Sequence, residues 1–437
     1  MDTRYKNIAI ALILGLIGYF GAGVVFDEIQ SRLIGVVVFL VAMWTNEALP
    51  LGMVSLLPII LFPSLGIMPI NSTTVNYSKS IIFLFMGGFM LAIAVQKIGL
   101  HKVIANKLLG VFPNTSRGII FALAITSALL SSLLSNTTTA LLLMPIALYL
   151  TENDKLKIRF VLAVAYGASI GGIITPIGTP PNLILMGLLE EHHIEAMTFF
   201  EWMLKTIPLA TIMLVIVSYI LSLGVQNIKV ENSIDSSSSL DVPQKRLKNI
   251  LLLLIVALFA NSFFRVSDAA ILLSFGLVML LPKIGFLEWE DTKKIPYEII
   301  FLFGAGFSIA AAFSHTLLAE SIAQMLLTLT QLPPILLVLI VASLITFTTE
   351  VTSNTALISI ALPIIYSLGL ASNIDVNMLL MVATICASYA FMLPIATPPN
   401  AIAMSSKVLK ISDMVKFGIM FNIIAILLTT TIANILW

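Results

Sequence analysis

Long apolar runs, separated by short polar stretches, follow one another along almost the whole chain. Runs at 8–25, 203–224, 249–264 and 415–436 approach the roughly 17–25 residues that a helix needs to cross the core of a bilayer. This pattern predicts an all-α integral membrane protein with about ten or eleven transmembrane helices. The first run follows basic residues but has no small-residue cleavage site after it, so we interpret it as a retained first span.

Composition agrees with a membrane location. The 437 residues are 59% hydrophobic and only 10% charged, whereas soluble domains carry about 25% charged residues. A net charge of +1 gives no global field that would attract nucleic acid. The single cysteine, Cys386, cannot form an intramolecular disulfide, and no Cys/His cluster has metal-ligand spacing.

Two polar motifs occur twice in one register. Ser-Asn-Thr at 135–137 returns at 353–355, and Thr-Pro-Pro-Asn at 179–182 returns at 397–400, in each case 218 positions later. Such a fixed offset predicts an internal repeat. The expected organisation is N-terminal spans at 1–80, a first repeat at 81–225, an aqueous polar linker at 226–248 and a second repeat at 249–437.

The two repeats are expected to be inverted in the membrane. The connection after 81–96 carries Lys97, Lys102, Lys107 and Arg117, whereas the matching segment at 315–334 has no Lys or Arg. Basic loops prefer the cytoplasm, which places the N-terminus inside and the C-terminus outside a plasma membrane. Lysines at 407, 410 and 416 oppose this assignment, because it places them on the outer side of the membrane.

Each Ser-Asn-Thr motif separates two apolar arms that are too short to span, which predicts a re-entrant hairpin with a polar tip. Ser, Asn and Thr cap helices, so a half-helix is expected to begin at each tip. Its free amides and positive end suit a carboxylate, and the Asn side chain with nearby carbonyls suits a small hard cation. The alternative is that these side chains bind no ligand and only hydrogen-bond to the backbone of their own helices.

The segment 171–182 holds three prolines and three glycines within an apolar stretch, and 394–400 repeats the pattern. Each proline removes an amide donor, so the upstream carbonyls lose their partners and could ligate sodium. A half-helix is expected to open after them, near Asn182. Simple proline kinks are the alternative. Glu350 is a further intramembrane candidate, with either a functional role or a structural one that pairs it with hairpin amides. Lys79 is expected at an interface.

These doubled motifs resemble those of the divalent-anion/sodium symporters, the INDY-type dicarboxylate carriers. The resemblance implies a homodimer in membrane lipid, with a scaffold part and a transport part that moves like an elevator. It implies two coupling sodium ions, one held by the Asn136 side chain and the other by the Asn354 side chain. Backbone carbonyls would complete the two sites, from Ser131, Ser135 and Gly178 in the first and from Thr349, Thr352 and Ala396 in the second.

The resemblance also implies a dicarboxylate site without an arginine clamp, formed by Asn136, Thr137, Thr179, Ser353, Asn354, Thr355, Thr397 and Pro398. The expected function is sodium-coupled symport of succinate, malate or fumarate. The alternatives are a sodium-independent dicarboxylate exchanger, or a carrier of citrate, tartrate or sulfate. The sequence offers no catalytic constellation for an enzyme, and paired hairpins suit alternating access better than a continuous pore.

Overall fold

A computed structural model describes residues 3–46, 48–192, 194, 197–230, 239–264, 266–326, 331–372 and 374–437. Within these ranges the regular structure is helical and includes no strand. Seven helices among them are long and apolar enough to cross a membrane, judged by length and composition. The predicted all-α membrane class is confirmed, and the count of about ten or eleven spans stays a prediction.

The first half of the chain begins with a hairpin of two long helices and ends with a long apolar helix. Its helices are α1 (Thr3–Ala22), α2 (Glu28–Asn46), α3 (Leu51–Ser64), α4 (Ile70–Thr74), α5 (Ser80–Lys97), α6 (Leu100–Gly110), α7 (Ser116–Ser131), α8 (Asn136–Tyr149), α9 (Asp154–Gly171), α10 (Pro180–Glu191) and α11 (Phe199–Ser222).

The second half repeats most of this succession after the polar linker. Its helices are α12 (Val242–Phe264), α13 (Asp268–Val278), α14 (Tyr297–His315), α15 (Leu318–Met325), α16 (Pro334–Thr348), α17 (Asn354–Ala371), α18 (Val376–Cys386), α19 (Pro398–Ser405) and α20 (Ile411–Leu436). The linker is shorter than predicted, because α12 already begins at Val242; residues 231–238 of it lie outside the described ranges.

Helix boundaries keep the offset of 218 that the motifs established. The starts of α7 and α16, of α8 and α17, and of α10 and α19 all match at this offset. The opposite orientation of the halves in a membrane stays a prediction.

Small residues allow the closest helix contacts. A Cβ added at Gly87 on α5 would lie 2.3 Å from the Leu272 carbonyl oxygen on α13, and one added at Gly171 on α9 would lie 2.2 Å from the Ala128 carbonyl oxygen on α7. Backbones this close exclude any side chain at these positions. The helix pair α5–α13 has its counterpart in α14–α3.

The two halves also pack on each other reciprocally. Helix α10 of the first half lies against α17 of the second, and α19 of the second half lies against α8 of the first. Each short helix that follows a Thr-Pro-Pro-Asn motif therefore packs on the hairpin arm of the opposite half. This arrangement brings the four polar segments into one region of the protein.

One ion pair joins the end of α10 to the start of α5. Lys79 Nζ lies 2.8 Å from Glu191 Oε2, the two side chains are only 13% and 20% exposed, and the ammonium lies over the Phe307 ring on α14. Next to it, the Ser80 hydroxyl donates to Glu190 at 2.8 Å. Lys79 therefore pairs with a carboxylate on another helix, a partner that the sequence did not indicate.

Candidate functional site

The first Ser-Asn-Thr motif forms a break between two helices, as predicted. Helix α7 ends at Ser131 and α8 begins at Asn136. Ser135 is the N-cap: its hydroxyl accepts the Thr138 amide at 3.1 Å and hydrogen-bonds the Thr138 hydroxyl at 2.8 Å. The capping predicted from residue type is confirmed at this tip.

The second tip breaks at the matching position but is capped differently. Helix α16 ends at Thr348, α17 begins at Asn354, and the N-cap Ser353 makes no side-chain capping bond. The residue that corresponds to Thr138 is Ala356, which has no hydroxyl to hold the serine side chain in place. The side-chain cap expected at Ser353 is therefore absent, although its backbone begins the helix in the same way.

A hydroxyl orients the asparagine of each tip. The Ser131 hydroxyl donates to Asn136 Oδ1 at 2.5 Å. In the second half, Thr349 occupies the place of Ser131 and donates to Asn354 Oδ1 at 2.7 Å and also contacts the Ala387 carbonyl oxygen at 3.0 Å. Both amide oxygens are thus fixed by the residue five positions earlier.

The Thr-Pro-Pro-Asn motifs also break helices. Helix α9 ends at Gly171 and α10 begins at Pro180, two residues before the predicted opening near Asn182. Thr179 is the N-cap, with extended backbone and no side-chain capping bond, and Thr397 has the same geometry before α19. Proline is well placed in a first turn, where its missing amide is no loss.

The asparagine of each Thr-Pro-Pro-Asn motif has a role that the sequence analysis missed. The Asn182 amide donates to the carbonyl oxygens of Gly172 at 3.0 Å and Thr175 at 2.9 Å. Asn400 donates in the same way to Ala390 at 2.9 Å and Leu393 at 3.0 Å. The proline-freed carbonyls are therefore partly used within the chain. Sodium ligation by carbonyls of the breaks stays a prediction.

The first tip and the first break meet at the predicted cation ligands. A Cβ added at Gly172 would lie 3.2 Å from Asn136 Oδ1 and 3.2 Å from the Thr179 Cβ, and one added at Gly178 would lie 2.4 Å from the Gly172 carbonyl oxygen. The Thr175 hydroxyl donates to the Ser132 carbonyl at 2.5 Å. Asn136, Gly178 and Thr179 thus form one cluster around Gly172.

In the second half, Glu350 joins tip to break. Its carboxylate accepts the amides of Met392 and Leu393, at 2.8 and 2.9 Å, and the Asn422 side chain at 2.7 Å. These amides belong to the break and not to the hairpin, so the expected pairing with hairpin amides was wrong. The carboxylate lies next to Thr349 and is itself buried.

Exposure differs systematically among the predicted site residues. The exposed ones are Ser135, Ser353 and Pro398; the half-buried ones are Asn136, Thr137, Thr352 and Asn354; the buried ones are Ser131, Gly178, Thr179, Thr349, Thr355, Ala396 and Thr397. The serine caps and the asparagines of the two tips thus lie at an accessible surface, with most of the remaining groups behind them. This gradient suits a site that small ligands enter from one side.

The chemistry of these groups is uniformly that of oxygen donors. Carbonyl, amide and hydroxyl oxygens suit hard cations, and sodium fits such a set. Among the described residues, no group of three or more His, Cys, Asp or Glu could hold a metal ion. The helix starts at Asn136 and Asn354 add amide ends with partial positive charge.

Sequence comparison gives relatives over the whole chain. The profile of the family described as citrate transporter matches residues 37–385. The sodium-dependent dicarboxylate transporter SdcS of Staphylococcus saprophyticus is 27% identical, over 100% of this chain and 93% of its own length. SdcS of Staphylococcus aureus (strain NCTC 8325) is 29% identical, over 90% of this chain and 83% of its own length.

Solved structures share the fold at 13% identity. The YdaH transporter of Alcanivorax borkumensis superposes with a TM-score of 0.59 over 84% of this chain and 87% of that one. MtrF of Neisseria gonorrhoeae, described among antimetabolite efflux pumps, superposes with a TM-score of 0.63 over 84% and 83%. The family match covers both tips and the first break. Together with the dicarboxylate transporter relatives it confirms the resemblance to divalent-anion/sodium symporters. The chain therefore belongs to the citrate transporter family, and it is a multi-pass membrane transporter and not an enzyme.

Proposed function

We propose that this chain is a sodium-coupled symporter of C4-type dicarboxylates such as succinate, malate and fumarate. The observation that carries the proposal is the pair of hairpin tips. Each tip places an asparagine, oriented by a hydroxyl, at the start of a helix beside a broken helix. The names of the staphylococcal relatives support sodium and dicarboxylate as the coupled solutes.

Two cations would be held by the tips. In the first site, Asn136 Oδ1 would act with the carbonyls of Ser131, Ser135 and Gly178. In the second, Asn354 Oδ1 would act with the carbonyls of Thr349, Thr352 and Ala396. The close approach of Asn136 to Gly172 in the first cluster supports this assignment.

The dianion would bind between the tips, against Asn136, Thr137, Thr179, Ser353, Asn354, Thr355, Thr397 and Pro398. Each helix start there carries the equivalent of up to about half a positive charge. The bound cations supply the rest of the positive potential, so cations must bind before the anion. Reciprocal packing of α10 on α17 and of α19 on α8 supports one site shared by both halves.

Transport would follow an elevator motion, in which the hairpins and broken helices cross the bilayer against a scaffold of the remaining helices. A homodimer in the plasma membrane, with the N-terminus in the cytoplasm and the C-terminus outside, completes the proposal. Inverted repeats around a central site are a recurring design of secondary transporters.

Uptake by purified protein in proteoliposomes tests the function. Radiolabelled succinate should accumulate with an inward sodium gradient and not with a potassium gradient. Asn136→Ala and Asn354→Ala should each abolish that uptake, because each removes the side-chain ligand of one cation site. Asn71→Ala, at an exposed position on α4, is the control for handling and reconstitution.

Three results would contradict the proposal. Uptake that depends on internal dicarboxylate but not on sodium would identify an exchanger. Competition by citrate, tartrate or sulfate but not by C4 dicarboxylates would change the substrate class. Wild-type uptake by both tip variants would remove the asparagines from the site.

A further inference from the structure

One buried carboxylate near the second tip has no place in the proposed ligand sets. Glu350, in the turn between α16 and α17, is 3% exposed. Its Oε1 accepts the Met392 amide at 2.8 Å and the Asn422 side-chain amide at 2.7 Å, and its Oε2 accepts the Leu393 amide at 2.9 Å. Donors hold both oxygens, which is the environment of a carboxylate anion.

The first half has no such charge. The position that corresponds to Glu350 is Ser132, whose carbonyl accepts the Thr175 hydroxyl at 2.5 Å and whose own hydroxyl donates to Leu129. The position that corresponds to Asn422 is Leu204. Tip and break are thus joined by a neutral hydrogen bond in the first half, and by a carboxylate with three donors in the second.

The carboxylate reaches both sides of the second cation site. Glu350 directly follows Thr349 on the tip, and its partners Met392 and Leu393 lie in the break that leads to Ala396. Thr349 and Ala396 are proposed to supply carbonyls to that site. Fixing the peptides at 392 and 393 therefore fixes the spacing between tip and break that a cation must bridge.

The charge also has an electrostatic effect. Inside a protein the effective dielectric constant is low, so a fixed negative charge favours a nearby cation more than it does in water. We propose that Glu350 is a positioning residue that orders the second cation site and makes it the tighter-binding of the two. This inference rests on the proposed function, because it presumes that both tips bind sodium.

Equilibrium binding of radiolabelled sodium to the purified full-length protein, without dicarboxylate, tests the inference. Sodium is titrated at constant ionic strength with choline as the replacement cation. The wild type should bind sodium in two steps. Asn354→Ala should remove the step at low sodium, and Asn136→Ala the step at high sodium.

Glu350→Gln keeps the size of the side chain but removes its charge and puts a donor where an acceptor is needed. It should raise the sodium concentration at the midpoint of the first step by about tenfold, equivalent to about 1.4 kcal/mol. Thr175→Val removes the neutral bond of the first half, and it should leave the low-sodium step in place. The inference would be overturned if Glu350→Gln had the same first-step midpoint as the wild type. Loss of the low-sodium step in Asn136→Ala would also overturn it.

A second variant guards against misfolding of Glu350→Gln. Asn422→Leu retains the carboxylate, takes the residue of the corresponding first-half position, and removes one of the three donors. It should raise the midpoint of the first step about threefold, since the carboxylate is then less firmly placed. An unchanged midpoint would also overturn the inference. Wild-type protein that shows no response to sodium would instead overturn the proposed function itself.

Discussion

The break in the first half depends on a glycine that the second half lacks. Gly178 corresponds to Ala396, so alanine is accepted at one of the two positions. A Cβ at Gly178 would nevertheless lie 2.4 Å from the carbonyl oxygen of Gly172, 3.0 Å from its carbonyl carbon and 3.1 Å from its Cα. Ordinary contacts begin at 3.4 Å. Gly178→Ala must therefore separate these two backbone segments by about 1 Å.

The separation acts directly on the proposed first cation site. Gly172 lies against the Asn136 side chain, and overpacking of this kind costs about 1–3 kcal/mol. If that cost falls on the state that binds sodium, apparent sodium affinity drops by roughly 5- to 150-fold. Gly178→Ala should therefore require much more sodium for half-maximal uptake of succinate, while a saturating gradient restores part of the rate.

A neighbouring glycine provides a matched control. A Cβ added at Gly88 on α5 would lie 3.6 Å from the Ile177 side chain, an ordinary contact beside the same break. Gly88→Ala should keep the sodium dependence of uptake within about twofold of wild type. Equal sodium dependence for Gly178→Ala and wild type, with both proteins folded, would refute the packing argument.

Two further predictions concern stability. Asn182→Leu and Asn400→Leu should each lower the unfolding free energy by about 2–4 kcal/mol, because each leaves two buried carbonyls without their donor. The melting temperatures of the two variants in detergent should fall by similar amounts. A fall in only one variant would contradict the equivalence of the two breaks. Lys79→Met and Glu191→Gln should show a coupling energy of about 1 kcal/mol in a double-mutant cycle of thermal stability. Additive effects would show that the ion pair contributes nothing.

Local signals carried most of the prediction. Ser135 acts within a few residues of itself, so the helix start that it predicts is observed, and α10 begins two residues before the start predicted near Asn182. The fixed offset of 218 could be read from the sequence because the polar motifs stand out among apolar neighbours.

Contacts between distant residues were beyond the sequence. Glu350 meets Asn422 72 positions later, and Lys79 meets Glu191 112 positions later. Spacing along a single chain contains no information on such pairs until the helices are packed. The sequence consequently indicated which residues are unusual in a membrane, but not which groups would satisfy them.

In the proposed inverted-repeat elevator, perfectly matched halves would relate the inward-open and outward-open forms by a two-fold rotation and give them equal energies. Lys79 and Glu191 break that balance, because the corresponding positions hold Tyr297 and Leu409, which cannot form an ion pair. Any contact that exists in one form alone shifts the resting population, and each 1.4 kcal/mol shifts it tenfold. If the proposed elevator motion separates Lys79 from Glu191, the empty carrier should rest mainly in the form that keeps this ion pair.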